Sequence, residues 1–220
     1  MHPYVSTGIA NSKFGIQNAL IPNYLDRISE CSEHVELLGV HCHIGSTIKE
    51  VRIFRDAAQI MVQFVEEIRN KGFDLQYLNL GGGLGIDYER KGNHDIPTPM
   101  DLLNQIRDLI IQMKLKLIIE PGRSLVGNAV IFVNRVTGVK TNGNKNFIVV
   151  DGSMSELIRP SLYKAHHHIE FAEPIEDKAT DVYDIVGPVC ESADFLGKDR
   201  TLQRPNEGDC LVVYDAGAYC

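Results

Sequence analysis

Three strand-like segments of this chain each end in a cluster of polar residues or glycines, and the clusters begin about 40 residues apart. The clusters are HCHIGS at 41–46, GGG at 81–83 and EPGRS at 120–124. One helix-like segment separates each cluster from the next. Parallel strands joined by helices bring their C-terminal ends to one edge of a sheet or barrel, which is where α/β enzymes place their active sites. The spacing therefore predicts an enzyme site built from these three clusters.

Composition excludes several other classes of function. The chain has 220 residues, 44% of them hydrophobic, so it can bury a sizeable core in one domain or two. A formal net charge of −7 argues against a surface for nucleic acid or anionic membrane. No apolar run approaches the roughly 20 residues needed to span a bilayer, and the first residues resemble no secretion signal. Five cysteines without a CxxC pair are typical of reduced, intracellular thiols.

The pattern of the chain changes near residue 128. Strand–helix units precede this point, whereas β-branched runs separated by turn pairs such as Asn142-Gly143 follow it. Three strand–helix units occupy roughly 125 residues, so eight would need a much longer chain. The predicted fold class is α/β: the C-terminal part of a (β/α)8 TIM-like barrel at 1–128, then a mostly-β domain at 129–220 that is incomplete at its C-terminus. A small open α/β sheet is the alternative.

Two helices have recognisable start signals. Thr47 and Glu50 form a capping-box pattern, and Thr98 followed by Pro99 is typical of an N-cap with proline at the first helical position. The first helix is expected to bury a stripe of Val51, Phe54, Ala58, Met61, Val65 and Ile68. The second is expected to bury Met100, Leu103, Ile106, Ile110 and Met113.

The first two clusters have several chemical interpretations. His41 and His43 lie two apart on a strand, so their side chains point to the same side. They can form a hydrogen-bonded pair, bind a metal ion together, or place one ring against an aromatic cofactor. Ser46 can offer its hydroxyl to an anion at a helix N-terminus. The backbone at 81–83 lacks Cβ atoms, so its N–H groups can turn toward a phosphate, although many such runs are only tight turns.

The third cluster and the later motifs are also open to more than one interpretation. Glu120 ends an apolar strand, and a buried carboxylate needs a cation such as Arg123, so a purely structural pair is the alternative to a functional one. Cys190 beside Glu191 is either a functional pair or a plain edge-strand end. The run HHH at 166–168 is interpreted as a solvated helix end, with metal binding as the alternative.

Together these motifs closely resemble the diaminopimelate decarboxylases, over essentially the whole chain and most of all those of plants and algae. The resemblance rests on the three clusters and on HPYVSTG at 2–8, NSKFG at 11–15, DGSMSELIRPSLY at 151–163, GPVCESADFLG at 187–197 and DAGAY at 215–219. It implies pyridoxal 5′-phosphate as cofactor and an alanine-racemase-like fold, with a barrel and a β domain. It also implies a lysine-biosynthetic enzyme that decarboxylates meso-2,6-diaminopimelate to L-lysine.

The resemblance also assigns roles to single residues. His43 would stack on the pyridine ring and Glu120 would face the pyridine nitrogen. The other cofactor-binding residues would be Ser46, Gly81, Gly82, Gly83, Gly122 and Arg123. Cys190 would be the catalytic residue that reprotonates the substrate carbon. The substrate would be bound by Arg123, Arg159, Tyr163 and Glu191.

Arg159 favours this substrate because a second carboxylate suits a guanidinium, whereas ornithine and arginine decarboxylases recognise a distal cation. Those decarboxylases, and a non-catalytic regulatory homologue, remain alternatives. A metal-dependent hydrolase would need further His or Asp ligands at later strand ends, and no metal site is predicted. The family places Cys190 and Glu191 across a dimer interface, so a homodimer with shared active sites is expected.

No segment matches the family's Schiff-base lysine, which lies on an early barrel strand, and the family's late tyrosine lies beyond Cys220. We therefore expect a fragment of roughly the second half of such an enzyme, inactive by itself. The expected location is the cytoplasm or the plastid stroma.

Overall fold

The computed structural model describes residues 13–90, 96–175 and 179–220. The chain divides into two compact units. The first comprises Met1–Gly85 and His94–Ser124, and the second comprises Ile86–Asn93 and Leu125–Cys220. The motif at 2–8 and the first two residues of the motif at 11–15 lie outside the described residues.

The first unit alternates helices with short parallel strands. Its elements are a 3-10 turn at Asn18–Leu20, then α1 (Ile21–Glu30), β1 (Gly39–His41), α2 (Val51–Arg69), β2 (Tyr77–Asn79), α3 (Pro99–Gln112) and β3 (Lys116–Ile118). The strands pair in the order β1-β2-β3, and the register places His41 beside Asn79 and Asn79 beside Ile118. Because the strands are parallel, all three deliver their C-terminal ends to one edge.

The helical stripes are buried in part as predicted, since Val51 and Met61 in the first and Leu103 and Met113 in the second are only half-buried. In α2 the buried side chains include Phe54, Ala58, Val65 and Ile68, and they pack in one core with Leu78 of β2. In α3 the buried stripe is Leu102, Ile106 and Ile110. The prediction for Met100 was wrong, since this side chain is 61% exposed. A spacing of four residues runs back from Ile110 through Ile106 to Leu102, which leaves Met100 off the buried face.

The two helix starts differ. Thr98 caps α3 as predicted, with its hydroxyl oxygen accepting from the Asp101 amide and the Asp101 side chain accepting from the Thr98 amide. The capping box at Thr47 was wrong. Its φ is 59°, its hydroxyl donates to the Ser46 carbonyl, and α2 begins only at Val51.

The second unit is built mainly from strands. Two short helical segments, α4 (Arg123–Val126) and a 3-10 turn (Gly127–Ala129), lead into it. The elements that follow are β4 (Phe132–Asn142), β5 (Lys145–Val150), α5 (Arg159–Tyr163), β6 (Ile169–Phe171), β7 (Thr180–Val186), β8 (Phe195–Gln203) and β9 (Cys210–Val213). They form a six-stranded sheet in the order β6-β9-β4-β5-β7-β8, antiparallel except where β5 pairs with β7.

One segment from the middle of the chain packs with this second unit. The Arg90 guanidinium donates to both carboxylate oxygens of Asp215 at 3.1 and 3.2 Å and lies 3.8 Å from the centre of the Tyr214 ring. The Asp215 side chain is almost fully buried, and its hydrogen bond raises the pKa of Arg90. Residues 86–90 are therefore attached to the end of the chain.

The predicted fold class is confirmed: parallel strand–helix units come first and a mostly-β unit follows. A search of the described helices found none with the length and apolar character that a membrane crossing requires.

Candidate active site

The C-terminal ends of β1, β2 and β3 remain hydrogen-bonded beyond the strands themselves. The Cys42 amide donates to the Asn79 carbonyl at 2.9 Å, and the Glu120 amide donates to the Gly81 carbonyl at 2.8 Å. Extending the strand register by two residues therefore places Gly81 between His43 and Glu120. The three predicted clusters meet at one edge of the sheet, in a row that we call the strand-end row: His43, Gly81 and Glu120.

Glycine is required at 81–83 because backbone atoms from both neighbouring strand ends come close. A Cβ on Gly81 would lie 2.8 Å from the Cys42 carbonyl oxygen and from Nδ1 of His43, so the imidazole covers this glycine. A Cβ on Gly82 would lie 2.2 Å from the Glu120 carbonyl oxygen. Real Cβ atoms do not approach other atoms so closely, so the glycines let the ends of β1 and β3 converge.

Asn79 organises the row and was missed by the sequence analysis. Its side-chain oxygen accepts from the Gly81 amide at 2.8 Å, and its side-chain nitrogen donates to Oε1 of Glu120 at 2.7 Å. The Gly81 amide is thus already engaged by a side chain. The only hint in the sequence is a polar residue in the apolar run that leads to the triple glycine.

The Glu120 side chain is 53% exposed, so it does not need the cationic partner that a buried carboxylate at this position would require. It lies at the open edge beyond the end of β3, where Asn79 holds one oxygen and Nε2 of His41 lies 3.8 Å away. A carboxylate held by a neutral amide keeps its charge for another group. This is the arrangement expected of a ligand-binding acid.

A second pair lies beside the row. The Arg123 guanidinium is buried and donates from Nη2 to the Ser46 hydroxyl oxygen at 3.1 Å. The neighbouring Ser124 hydroxyl is also buried and has no hydrogen-bond partner among the described residues. Ser124 lines a small apolar hollow with Gly81, Gly82 and Pro121, on the side facing α2 and α3. Neither His43 nor Glu120 lines that hollow.

The second unit holds a separate polar cluster around Arg159, the predicted substrate-binding arginine. Arg159 is 5% exposed and begins α5; its Nη1 lies 2.6 Å from Nε2 of His167. The Tyr88 ring centre lies 4.2 Å from the guanidinium carbon and 5.1 Å from the His167 ring centre. Tyr163, at the last turn of α5, is half-buried.

His167 overturns the prediction for the histidine run. Residues 166–168 precede β6 and do not end a helix, and the His167 side chain is fully buried. Its Nδ1 lies 2.8 Å from the Tyr214 carbonyl oxygen. Burial lowers the pKa of His167 from 6.5 to about 4, so the ring is neutral at physiological pH.

Cys190 and Glu191 lie in an exposed loop between β7 and β8. Asp194 is buried and fastens this loop by accepting from the Met154 amide at 2.7 Å and the Val189 amide at 2.8 Å. Oε1 of Glu191 accepts from the Ala193 amide at 3.2 Å. The Cys190 thiol is thus presented next to a fixed backbone segment.

Across residues 13–90, 96–175 and 179–220, no group of three or more His, Cys, Asp or Glu side chains is placed to hold a metal ion. His41 and His43 therefore have no third ligand of these types in the described part of the chain.

Comparison with known proteins identifies the class. Residues 1–127 match the family described as pyridoxal-dependent decarboxylase, pyridoxal binding domain. Because this match covers more than half of the chain, the chain belongs to the pyridoxal-dependent decarboxylases. The cofactor of that family is pyridoxal phosphate.

Similar individual proteins carry a more specific name. The chain is 62% identical, over its whole length and 45% of the relative, to a probable chloroplastic diaminopimelate decarboxylase of Oryza sativa subsp. japonica. It is 44% identical to the diaminopimelate decarboxylase of Aquifex aeolicus, over 99% of this chain and 51% of that protein. The crystal structure of Helicobacter pylori diaminopimelate decarboxylase complexed with L-lysine aligns with a TM-score of 0.87 at 33% identity, over 100% of this chain and 53% of that one. The chain spans about half the length of the curated relatives it matches.

The residues of the first unit fit the cofactor of this family. The strand-end row offers a flat imidazole and a half-exposed carboxylate on either side of a residue without a side chain. Beside it lie the buried Arg123 guanidinium and the Ser46 hydroxyl, both of which can donate to an anion. An aromatic ring with a basic nitrogen and a phosphate group requires these kinds of partner.

Proposed function

We propose that this chain contributes the cofactor-binding and substrate-binding residues of an enzyme that decarboxylates meso-2,6-diaminopimelate to L-lysine. The observation that carries the proposal is the strand-end row, with the Glu120 carboxylate held at 2.7 Å by Asn79 and the His43 ring covering Gly81. The names of the similar proteins and the lysine complex of one of them support the same reaction.

In this proposal the first unit holds the cofactor. Glu120 would face the pyridine nitrogen and His43 would lie against the ring. Ser46, Gly82, Gly83, Gly122 and Arg123 would complete the binding site, and Gly81, whose amide and carbonyl are already hydrogen-bonded, would leave room for the ring. When bound, pyridoxal phosphate supplies an electron sink for the pair left on the substrate carbon as CO₂ departs. A carboxylate at the ring nitrogen stabilises the protonated ring, which is the better electron acceptor.

The second unit would bind the substrate. Arg159, Tyr163 and Glu191 would hold the part of the molecule that does not react, and Arg123, which belongs to the first unit, would also bind the substrate. A guanidinium suits the second carboxylate of diaminopimelate, whereas the distal ammonium of ornithine would be repelled. The exposed Cys190 thiol would give its Sγ proton to the carbon that has lost CO₂.

The proposal is tested by Glu120→Gln in the full-length protein, with Glu66→Gln on the exposed face of α2 as the matched control. Glu120→Gln keeps the size of the side chain but removes the charge. We expect CO₂ release from diaminopimelate to fall about 100-fold or more, the size seen when one preorganised electrostatic partner is lost. The control should match the wild type. Unchanged turnover in Glu120→Gln, or faster turnover of ornithine or arginine than of diaminopimelate, would refute the proposal.

We also propose that the protein is a homodimer whose active sites combine Glu120 of one subunit with Cys190 of the other. Support comes from the likeness to the family rather than from any contact in this chain. Glu120→Gln and Cys190→Ala subunits should each be inactive, but a co-expressed mixture should regain up to about a quarter of wild-type activity. Half of the dimers are then mixed, and each contains one intact site. No recovery despite mixed dimers would mean that each site is built from one chain.

A plastid location is a further proposal, supported by the chloroplastic relative at 62% identity. A fluorescent fusion of the full-length protein would test it: signal coincident with chloroplast autofluorescence supports it, and diffuse cytosolic signal contradicts it.

A further inference from the structure

Arg159 and His167 form a buried pair whose hydrogen bonds determine the protonation state of the imidazole. The Tyr214 carbonyl can only accept, so Nδ1 of His167, 2.8 Å away, must carry the proton. A guanidinium can only donate, so Nε2, 2.6 Å from Nη1 of Arg159, must carry the lone pair and accept this hydrogen bond. A second proton on the ring would place two donors against each other. The geometry therefore requires a neutral His167.

Tyr88 restrains the same guanidinium from another direction. Its ring centre lies 4.2 Å from the Arg159 guanidinium carbon, within the range of a cation–π contact. It also meets the His167 ring edge-on, with an interplanar angle of 69°. Arg159 begins α5, and it is contacted both by His167, in the segment before β6, and by Tyr88, which lies far earlier in the sequence.

A neutral acceptor has a chemical advantage over an acid at this position. A carboxylate beside Arg159 would orient the guanidinium but would also neutralise it, so it would compete with any carboxylate that the arginine binds. A neutral imidazole that accepts the hydrogen bond orients the guanidinium and leaves its positive charge in place. The other charged or titratable groups that influence His167 are Asp215 and His166.

We infer that His167 is a positioning residue for Arg159, which it holds as a fully charged guanidinium for the non-reacting carboxylate of the substrate. This inference rests on the proposed role of Arg159 in substrate binding. It makes His167 a determinant of specificity that touches neither the cofactor nor the reacting carbon.

The test compares ligands with and without that carboxylate, using the full-length holoenzyme. L-Lysine, the product, retains the non-reacting carboxylate of diaminopimelate, whereas 1,5-diaminopentane has both amines and neither carboxylate. In His167→Leu we expect the KM for diaminopimelate and the inhibition constant of L-lysine to rise together. The rise should be about 10–100-fold, as expected for the loss of one hydrogen bond to a charged group. Inhibition by 1,5-diaminopentane and retention of pyridoxal phosphate should not change, and kcat should fall less than KM rises.

Three further variants make the result specific. His167→Gln offers an acceptor oxygen near the position of Nε2 and should restore much of the binding. Tyr88 is a half-buried loop residue, so Tyr88→Leu serves as a second test if His167→Leu does not fold. It should give the same selective loss of affinity for diaminopimelate and L-lysine. His166→Leu is the matched control, because this exposed neighbour lies 2.7 Å from a different arginine, Arg200.

The outcomes separate the inference from the proposed function. If Arg159→Leu selectively weakens diaminopimelate and L-lysine but His167→Leu and Tyr88→Leu do not, the inference is wrong and the proposed function stands. Equal weakening of all three ligands in folded His167→Leu also overturns the inference. If wild-type enzyme does not decarboxylate diaminopimelate, or Arg159→Leu leaves its KM unchanged, the proposed role of Arg159 itself fails.

Discussion

Gly82→Ala tests whether the close approach of β2 and β3 ends determines both stability and cofactor binding. The new Cβ would lie 2.2 Å from the Glu120 carbonyl oxygen and 3.2 Å from its carbonyl carbon. Relief requires a shift of about 1 Å, and both the Glu120 amide and its carboxylate are already tied to β2. Overpacking of this kind costs about 1–3 kcal/mol. Since 1 kcal/mol corresponds to about 2–4 °C for a chain of this length, we expect Tm to fall by roughly 2–12 °C.

The assay is thermal unfolding of the cofactor-free protein followed by titration with pyridoxal phosphate. Gly122→Ala is the control for stability, because a Cβ there would meet nothing within 4 Å. It should leave Tm unchanged or slightly higher, since alanine restricts the unfolded chain. Gly82→Ala should also weaken cofactor binding, because relief of the clash displaces Glu120. Equal Tm values for the two variants would refute the packing argument.

Two other predictions concern stability. His167 has a folded-state pKa of about 4 against an ordinary value of 6.5, so the unfolded chain binds the extra proton first as the pH drops. The free energy of unfolding therefore decreases between pH 6.5 and 4, by up to about 3 kcal/mol. Between pH 8 and 4.5, Tm should fall less steeply in His167→Gln than in the wild type, and identical slopes would contradict the assigned pKa. Thr98→Ala removes the hydroxyl that accepts from the Asp101 amide but keeps the Thr98 amide that donates to the Asp101 carboxylate. It should lower Tm by about 2–4 °C, whereas Thr98→Ser should not, as circular dichroism melts would show.

Local signals were sufficient for the helices and for the common edge. Thr98, Pro99 and Asp101 are neighbours in sequence, so their cap could be predicted without knowledge of the fold. The spacing of four that buries Ile106 and Ile110 is likewise a property of the helix alone. The capping box at Thr47 failed because the pattern ignores backbone conformation, and a residue with φ of 59° does not serve as the N-cap.

The polar clusters could be predicted only in part. The convergence of 41–46, 81–83 and 120–124 follows from parallel connectivity, which the alternation of segments already indicates. The bridging role of Asn79 depends on register, because only its place beside His41 and Ile118 brings it to Glu120. The roles assigned to Arg159, Tyr163, Cys190 and Glu191 remain predictions.

His167 shows where sequence reasoning stops. Three consecutive histidines look solvated, yet the middle one is fully buried because its partners are Arg159, Tyr214 and Tyr88. Tyr88 and Tyr214 lie tens of residues away in opposite directions along the chain. No window of the sequence contains them all, so the burial is visible only in three dimensions.

The attachment of residues 86–90 to the last part of the chain affects how the protein is made. Arg90 and Asp215 are separated by 125 positions, which a ribosome takes roughly 10 s to translate. Until Asp215 leaves the exit tunnel, Arg90 lacks its carboxylate partner, and Tyr88 lacks its ring and guanidinium contacts until Arg159 and His167 have emerged. During this time residues 86–90 lack their final contacts, although all residues of the first unit are synthesised well before Asp215. The second unit can therefore complete its contacts only after almost all of this chain has been translated.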